Sequence, residues 1–332
     1  MPVSSAYALR TMRQHAFSTP RRSWRSLALA LALAVSGALH AAAPDTAVAE
    51  LQARHAWVLR ATAALENSPP DPAFVKYRND YLAALPLGAA QPLARSALDR
   101  RLKSARVVLL GDQHDSPVAK RLALHVLTAM RAGGAVTLAI EFIQPKFQAV
   151  LDAYTAGRID DAALRDQAYK PSSWSFAWPL YRELFVGARA AGVRVVAVEP
   201  GTHLSLSERD TGIASNVRAI PGRVLVFYGS FHLLGRDHLA DKLGADLTIT
   251  PSAQERYWEI ARRQGLGFDL LELSPRVVFA NLGSPLDSDS EYLDSLMDTF
   301  GYGSLDELAR DFPDLPARPV SGGGDPARPS AP

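Results

Sequence analysis

The tightest constraint on this chain is a series of short, near-continuous apolar runs separated by amphipathic segments. They read VVLL at 107–110, TLAIEF at 137–142, VRVVAVEP at 193–200 and RVLVFYG at 223–229, with DLTIT following at 246–250. Between them the apolar spacing predicts helices over 117–132, 145–155, 160–168, 179–191 and 236–243. Strands without polar alternation are buried on both faces, as in a parallel sheet sandwiched by helices. The expected fold class is therefore α/β, with a mostly parallel central sheet covered by helices on both faces. FDLLEL at 268–273 and RVVFANL at 276–282, joined by Ser274-Pro275, predict an antiparallel hairpin at a sheet edge.

The flanks read differently. Residues 1–43 hold five basic residues and no acidic ones, and after Arg25 they run into SLALALALAVSGALHAAA. That is the layout of a secretory signal peptide; the run is too short and too rich in Ala for a convincing membrane span. Without this segment the formal charge of +2 becomes −3. The pI near 8.8 then belongs mostly to the signal, which leaves no footing for nucleic-acid binding. The chain has no cysteine, which excludes disulfides, thiolate metal sites, cysteine nucleophiles and a lipidated N-terminal cysteine. These features predict a periplasmic or secreted protein that is not a lipoprotein. Residues 44–105 read as a helical lead-in with interruptions at Pro86 and Pro92 and no chemical constellation. Residues 106–316 form the α/β domain, and the Gly/Pro/Ser-rich residues 317–332 read as a disordered tail.

Polar residues sit where the runs end. VVLL exits into Asp112 and His114, TLAI into Glu141, VVAV into Glu199, and VLVFY into Ser230 and His232. Ligands of open α/β sheets bind in the crevice outside the carboxyl ends of the strands. Two of these exits share a spelling, RVVLLGDQH and RVLVFYGSFH, each a buried strand followed by Gly-x-x-His. Gly111 and Gly229 suit a sharp turn or a close approach of backbone to ligand. His114 and His232, with Glu141, make a His/His/carboxylate set. Such a set suits a divalent metal, a haem axial position or acid/base chemistry. Asp115-Ser116-Pro117 reads as a helix start, with Asp115 or Ser116 as the cap. The segment YKPSSWSFAWPLYREL (169–184) is dense in aromatics, fitting either a docked core patch or the wall of a pocket for a flat ligand. No phosphate loop, GxSxG elbow or HExxH is present.

GDQHDSP, Glu141 in AIEF, the WPLYREL helix and GSFH resemble the ChaN-like haem-binding proteins, within a wider group that includes TIKI, TraB and erythromycin-esterase-like proteins. The resemblance spans roughly residues 100–282. It implies an exported haem-binding protein in haem or iron uptake or handling, with Gly111, Asp112, His114, Glu141, Gly229 and His232 around the haem. Tyr228 and Tyr181 are candidate tyrosine ligands, which no motif assigns. Asp112 stands where such members usually carry Glu, giving any carboxylate there a shorter arm. The alternative is a metal-dependent esterase or peptidase in which His114, Glu141 and His232 are both the divalent-metal ligands and the catalytic set; a non-catalytic binding protein is the residual reading. Expected partners are haem or a small molecule, a transient membrane receptor or transporter, and a second copy of the chain.

Overall fold

The computed structural model describes residues 44–66, 71–174, 176–201, 203–251 and 254–319. The signal-peptide reading, and all but residues 317–319 of the tail, lie outside them. The chain runs α1 (Pro44–Glu66), α2 (Pro72–Ala83), β1 (Gln91–Pro92), α3 (Arg95–Ser104), β2 (Val107–Asp112), α4 (Pro117–Arg131) and β3 (Val136–Ile140). It continues through α5 (Gln148–Thr155), α6 (Asp161–Leu164), α7 (Trp178–Ala190), β4 (Arg194–Ala197), α8 (Leu206–Arg218) and β5 (Arg223–Gly229). Then come α9 (Leu239–Leu243), β6 (Leu247–Pro251), α10 (Gln254–Gln264), β7 (Leu270–Ser274), β8 (Val277–Ala280), α11 (Pro285–Phe300) and α12 (Leu305–Asp311).

All eight strands lie in one sheet, in the order β1-β7-β8-β6-β2-β5-β3-β4. From β8 to β4 every neighbour is parallel; β7 is antiparallel to both β8 and β1. The predicted hairpin thus forms at that side of the sheet, and Gln91–Pro92 of the lead-in adds a two-residue outermost strand. A proline is tolerated there because an edge strand has one side without ladder bonds.

Strand alternation divides the core. Val108 and Leu110 of β2, Leu138 and Ile140 of β3, and Leu225 and Phe227 of β5 pack on one face with Val126 and Met130 of α4, Leu151 of α5, and Leu184 and Phe185 of α7. Leu109, Ala139, Val226 and Tyr228 point to the other face, against Ile213 and Val217 of α8, Leu239 of α9, and Tyr81 and Leu82 of α2. Helices from both ends of the chain build a further core. It joins Trp57 and Ala61 of α1, Trp258 of α10, and Leu293 and Met297 of α11. There Trp258 Nε1 donates to His55 Nδ1 at 2.9 Å, and His55 Nε2 meets Asp289 at 2.6 Å, so His55 is structural. Among the described residues no helix is long and apolar enough to cross a membrane.

The central pair of strands fixes the site. β2 and β5 run in parallel register with Gly111 opposite Tyr228 and Asp112 opposite Gly229. Both Gly-x-x-His motifs therefore leave the sheet at the same end, offset by one residue.

Candidate functional site

The first motif is held from below by a buried cation. Gly111 is close-packed: a Cβ there would lie 2.4 Å from Pro251 Cδ and 2.7 Å from Ser230 Oγ. The next residue, Asp112, points into the interior with its side chain 2 % exposed. Ser116 caps α4 by accepting from the Ala119 amide at 3.3 Å, and Pro117 opens the first turn. One turn on, Lys120 reaches back to donate to Asp112 Oδ1 at 2.7 Å, the Gln113 carbonyl at 2.9 Å and the His114 carbonyl at 2.7 Å. Tyr181 donates to Asp112 Oδ2 at 2.9 Å, and the same oxygen lies 2.9 Å from His114 Nδ1.

Charge follows from this packing. Burial raises the Asp112 pKa, but the hydrogen bond to His114 and the Lys120 charge outweigh it and hold the carboxyl below its usual range. For His114 burial works toward the neutral ring; the Asp112 hydrogen bond and the Glu141 charge prevail and raise its pKa. Burial pulls the Lys120 ammonium below its ordinary value, with Asp112 opposing. The His114 ring packs against Trp174 and Phe176, each with ring centroids 4.9 Å away.

The second motif has its own carboxylate. His232 Nδ1 lies 2.6 Å from Asp210 Oδ1 and 2.9 Å from the Tyr77 hydroxyl. Asp210 follows Arg209 on α8, a helix begun by a capping box between Ser205 and Glu208. Arg209 joins two strand exits, pairing with Glu199 at 2.6 Å and Glu141 at 3.3 Å. Burial raises the Glu199 pKa, yet its hydrogen bond from Arg209 holds it below the usual range. Glu141 Oε2 also accepts the Gly229 amide at 2.8 Å. A Cβ on Gly229 would stand 3.3 Å from both Glu141 Oε2 and His114 Nε2, so at this position glycine lets the two polar groups approach the strand end.

These elements enclose a cavity of about 520 Å³ lined by His114, His232, Glu141, Asp112, Asp115, Arg209 and Gly229, with Phe74, Tyr77, Tyr81, Phe176 and Phe231 among its walls. Each histidine turns Nδ1 to a carboxylate, which assigns the neutral rings as Nδ1–H tautomers with Nε2 left over. Of the expected site residues, Asp112, His114, Glu141, Gly229 and His232 thus meet around one cavity. Gly111 does not line it. Tyr181 and Tyr228 are fully buried behind it, Tyr181 bonded to Asp112 and Tyr228 donating to Glu199, so neither phenol is available to a ligand. The aromatic segment divides: Phe176 faces the cavity, whereas Tyr169 and Tyr181 belong to the core. His203 is exposed and lines no part of the cavity, and His125 pairs with Asp99 at 2.9 Å.

Among the described residues no group of three or more His, Asp or Glu side chains is disposed to hold a metal ion. Glu141, the expected carboxylate ligand, is engaged by Arg209 and the Gly229 amide. The His114/Glu141/His232 metal centre, and the metal-dependent hydrolase built on it, therefore find no support in the geometry.

Sequence reasoning missed Lys120, Tyr77, Arg209 and Asp210. The last two had a readable signal: Ser205-Leu206-Ser207-Glu208 is a capping-box spelling that announces a helix just after a strand exit. Tyr77 had none, because it comes from a helix without a motif, far away in sequence.

Comparison with known proteins gives a family match over part of the chain. Residues 98–217 match the family described as "Haem-binding uptake, Tiki superfamily, ChaN". That span holds the first Gly-x-x-His motif, Glu141, Glu199, Arg209 and Asp210, and stops short of the second. No curated protein matches the chain. Among solved structures, ChaN of Campylobacter jejuni, described as binding heme cofacially, is 13 % identical with a TM-score of 0.42, covering 49 % of this chain and 88 % of its own. The type III effector HopBA1 is 13 % identical with a TM-score of 0.40, covering 57 % and 92 %. RRSP, a toxin effector domain from Vibrio vulnificus, is 18 % identical with a TM-score of 0.35, covering 53 % and 38 %. Residues 98–217 thus carry the sequence pattern of the ChaN-like haem-binding uptake family of the Tiki superfamily, and it is this family that the chain resembles.

Proposed function

We propose that the protein binds haem in the cavity at the carboxyl ends of β2, β3 and β5, and that it does so after export, in haem or iron uptake or handling. One observation carries the reading: two carboxylate-anchored imidazoles face a single aromatic-walled cavity. Its volume of about 520 Å³ is in the range of small-molecule and cofactor sites, roughly 300–1,000 Å³.

The residues present fit such a ligand. Phe176, Phe231 and Phe74 offer apolar walls to a flat macrocycle. The Nε2 atoms of His114 and His232 would be the nitrogens to hold the iron that haem supplies. A carboxylate on Nδ1 fixes the ring orientation and makes the opposite nitrogen a better donor. Gly229 keeps the strand end bare, so that His114 and Glu141 approach it without a side chain between them. Export rests on the basic and apolar residues 1–43, and a membrane receptor or transporter would be the acceptor of the cargo.

The test is a titration of purified full-length protein with hemin, followed in the Soret region. A saturable shift is expected, weakened in His114→Ala and in His232→Ala and lost when both are replaced. A titration without a shift, or one indifferent to both replacements, overturns the reading. Export is tested by fractionating cells that express the full chain; protein confined to the cytoplasm contradicts it.

A further inference from the structure

Tyr77 lies on α2, ahead of the family match and in the segment whose sequence holds no motif. Its hydroxyl nonetheless closes a ring with the second motif: it donates to Asp210 Oδ2 at 2.5 Å and stands 2.9 Å from His232 Nδ1, which is itself 2.6 Å from Asp210 Oδ1. With Asp210 ionised, the hydrogen bonds of this triangle fix where its protons lie. Asp210 is fully buried and, when ionised, only accepts. The single phenol proton goes to Asp210, so the phenol oxygen meets His232 as an acceptor. Both neighbours of Nδ1 are then acceptors, and Nδ1 must carry the hydrogen.

Two further observations keep Tyr77 in that role. Burial, then the Asp210 charge, pushes its pKa far above the ordinary phenol range, so it remains a proton donor. On its ring, His238 stacks at 4.2 Å between centroids with 13° between planes, and His238 Nδ1 is held by the Phe231 carbonyl at 2.9 Å. The phenol is clamped between a stacked ring and the dyad. The first motif has a different backing: Asp112 is satisfied by Lys120 and Tyr181, both from the sheet domain.

We infer that Tyr77 is a positioning residue of the cavity: together with Asp210 it fixes His232 as the Nδ1–H tautomer and leaves Nε2 as the ring nitrogen offered to a ligand. The α2 helix is by this account part of the site. The inference deepens the haem reading for ligand binding, while the tautomer assignment stands without any ligand.

The experiment is nitrogen-15 NMR of the histidine rings in the ligand-free full chain, at a pH where the His232 ring is neutral. Wild type is expected to show the Nδ1–H pattern for His232. Tyr77→Phe should shift the His232 ring resonances through loss of the second acceptor on Nδ1 while Asp210 keeps the hydrogen there, leave the His114 signals unchanged, and weaken hemin binding about tenfold, within the range for loss of a partner behind a ligand. Asp210→Asn should disturb the same ring and serves if the phenylalanine variant does not fold. An Nε2–H pattern in wild type, or a His232 pattern unaltered in both variants, overturns the inference. Hemin that fails to bind wild type defeats the haem reading alone and leaves the tautomer result standing.

Discussion

Lys120→Met removes a charge from beneath the first motif while keeping most of the aliphatic stem. Lys120 and Asp112 each have side chains only 2 % exposed, 2.7 Å apart. Nζ also holds the Gln113 and His114 carbonyls and sits 4.5 Å above the Tyr181 ring. Hydrogen bonds to charged groups contribute about 1.5–3 kcal/mol each, but their sum overshoots, because folding must also strip water from the ammonium. What the substitution exposes is the other half of the problem: a buried carboxylate without its cation. Breaking a buried pair in this way costs about 3–5 kcal/mol. In a domain of this size each kcal/mol lowers the unfolding midpoint by roughly 2 °C, so the expected loss is about 6–10 °C. Calorimetry of wild type, Lys120→Met, Asp112→Asn and the double variant would measure it. The double variant should be less destabilised than the two single losses added together, because it leaves no uncompensated charge. A Lys120→Met protein within about 0.5 kcal/mol of wild type, the range of ordinary surface changes, refutes the buried-pair account.

Three more outcomes follow from the same geometry. His114 has a raised pKa, so its contribution to stability is complete below about pH 6.5 and lost as pH rises through its folded value. Urea midpoints measured from neutral to alkaline pH should therefore fall in wild type and fall less in His114→Gln; equal slopes contradict the assignment. Asp112 is depressed, so its contribution is present above about pH 3.9 and lost as pH falls through its folded value, a limb that Asp112→Asn should flatten in acid unfolding. Gly229→Ala and Gly111→Ala should differ in their cost to stability. The first crowds Glu141 and His114 at 3.3 Å and is expected to weaken hemin binding with little loss of stability. The second drives a Cβ to 2.4 Å from Pro251, which itself lines the cavity, and overpacking of that kind costs about 1–3 kcal/mol on thermal unfolding.

The sheet was legible because parallel strands buried on both faces must be apolar throughout, and VVLL, TLAI and VLVFY are. The convergence of His114, Glu141 and His232 was legible for a related reason: strands in one parallel sheet share a carboxyl end, so a residue just past the apolar run has a known place. Two kinds of residue were out of reach. Tyr181 and Tyr228 looked like ligands by type, but alternation of side chains along a strand and burial of a helix face turn both phenols inward, to Asp112 and Glu199. Lys120, Asp210 and Tyr77 act on the histidines from neighbouring helices, and such contacts depend on helix docking that no local pattern records. The helices after residue 283 were unread as well; their apolar faces pack on α1, from the opposite end of the chain.

The central claim, a haem site formed by two anchored histidines, is tested most directly by the absorption spectrum and metal content of the protein as isolated from cells that express the full chain. The account predicts a Soret band, iron in proportion to haem, and loss of both when His114 and His232 are replaced together. A colourless protein carrying a stoichiometric divalent metal that disappears in His232→Ala would contradict it.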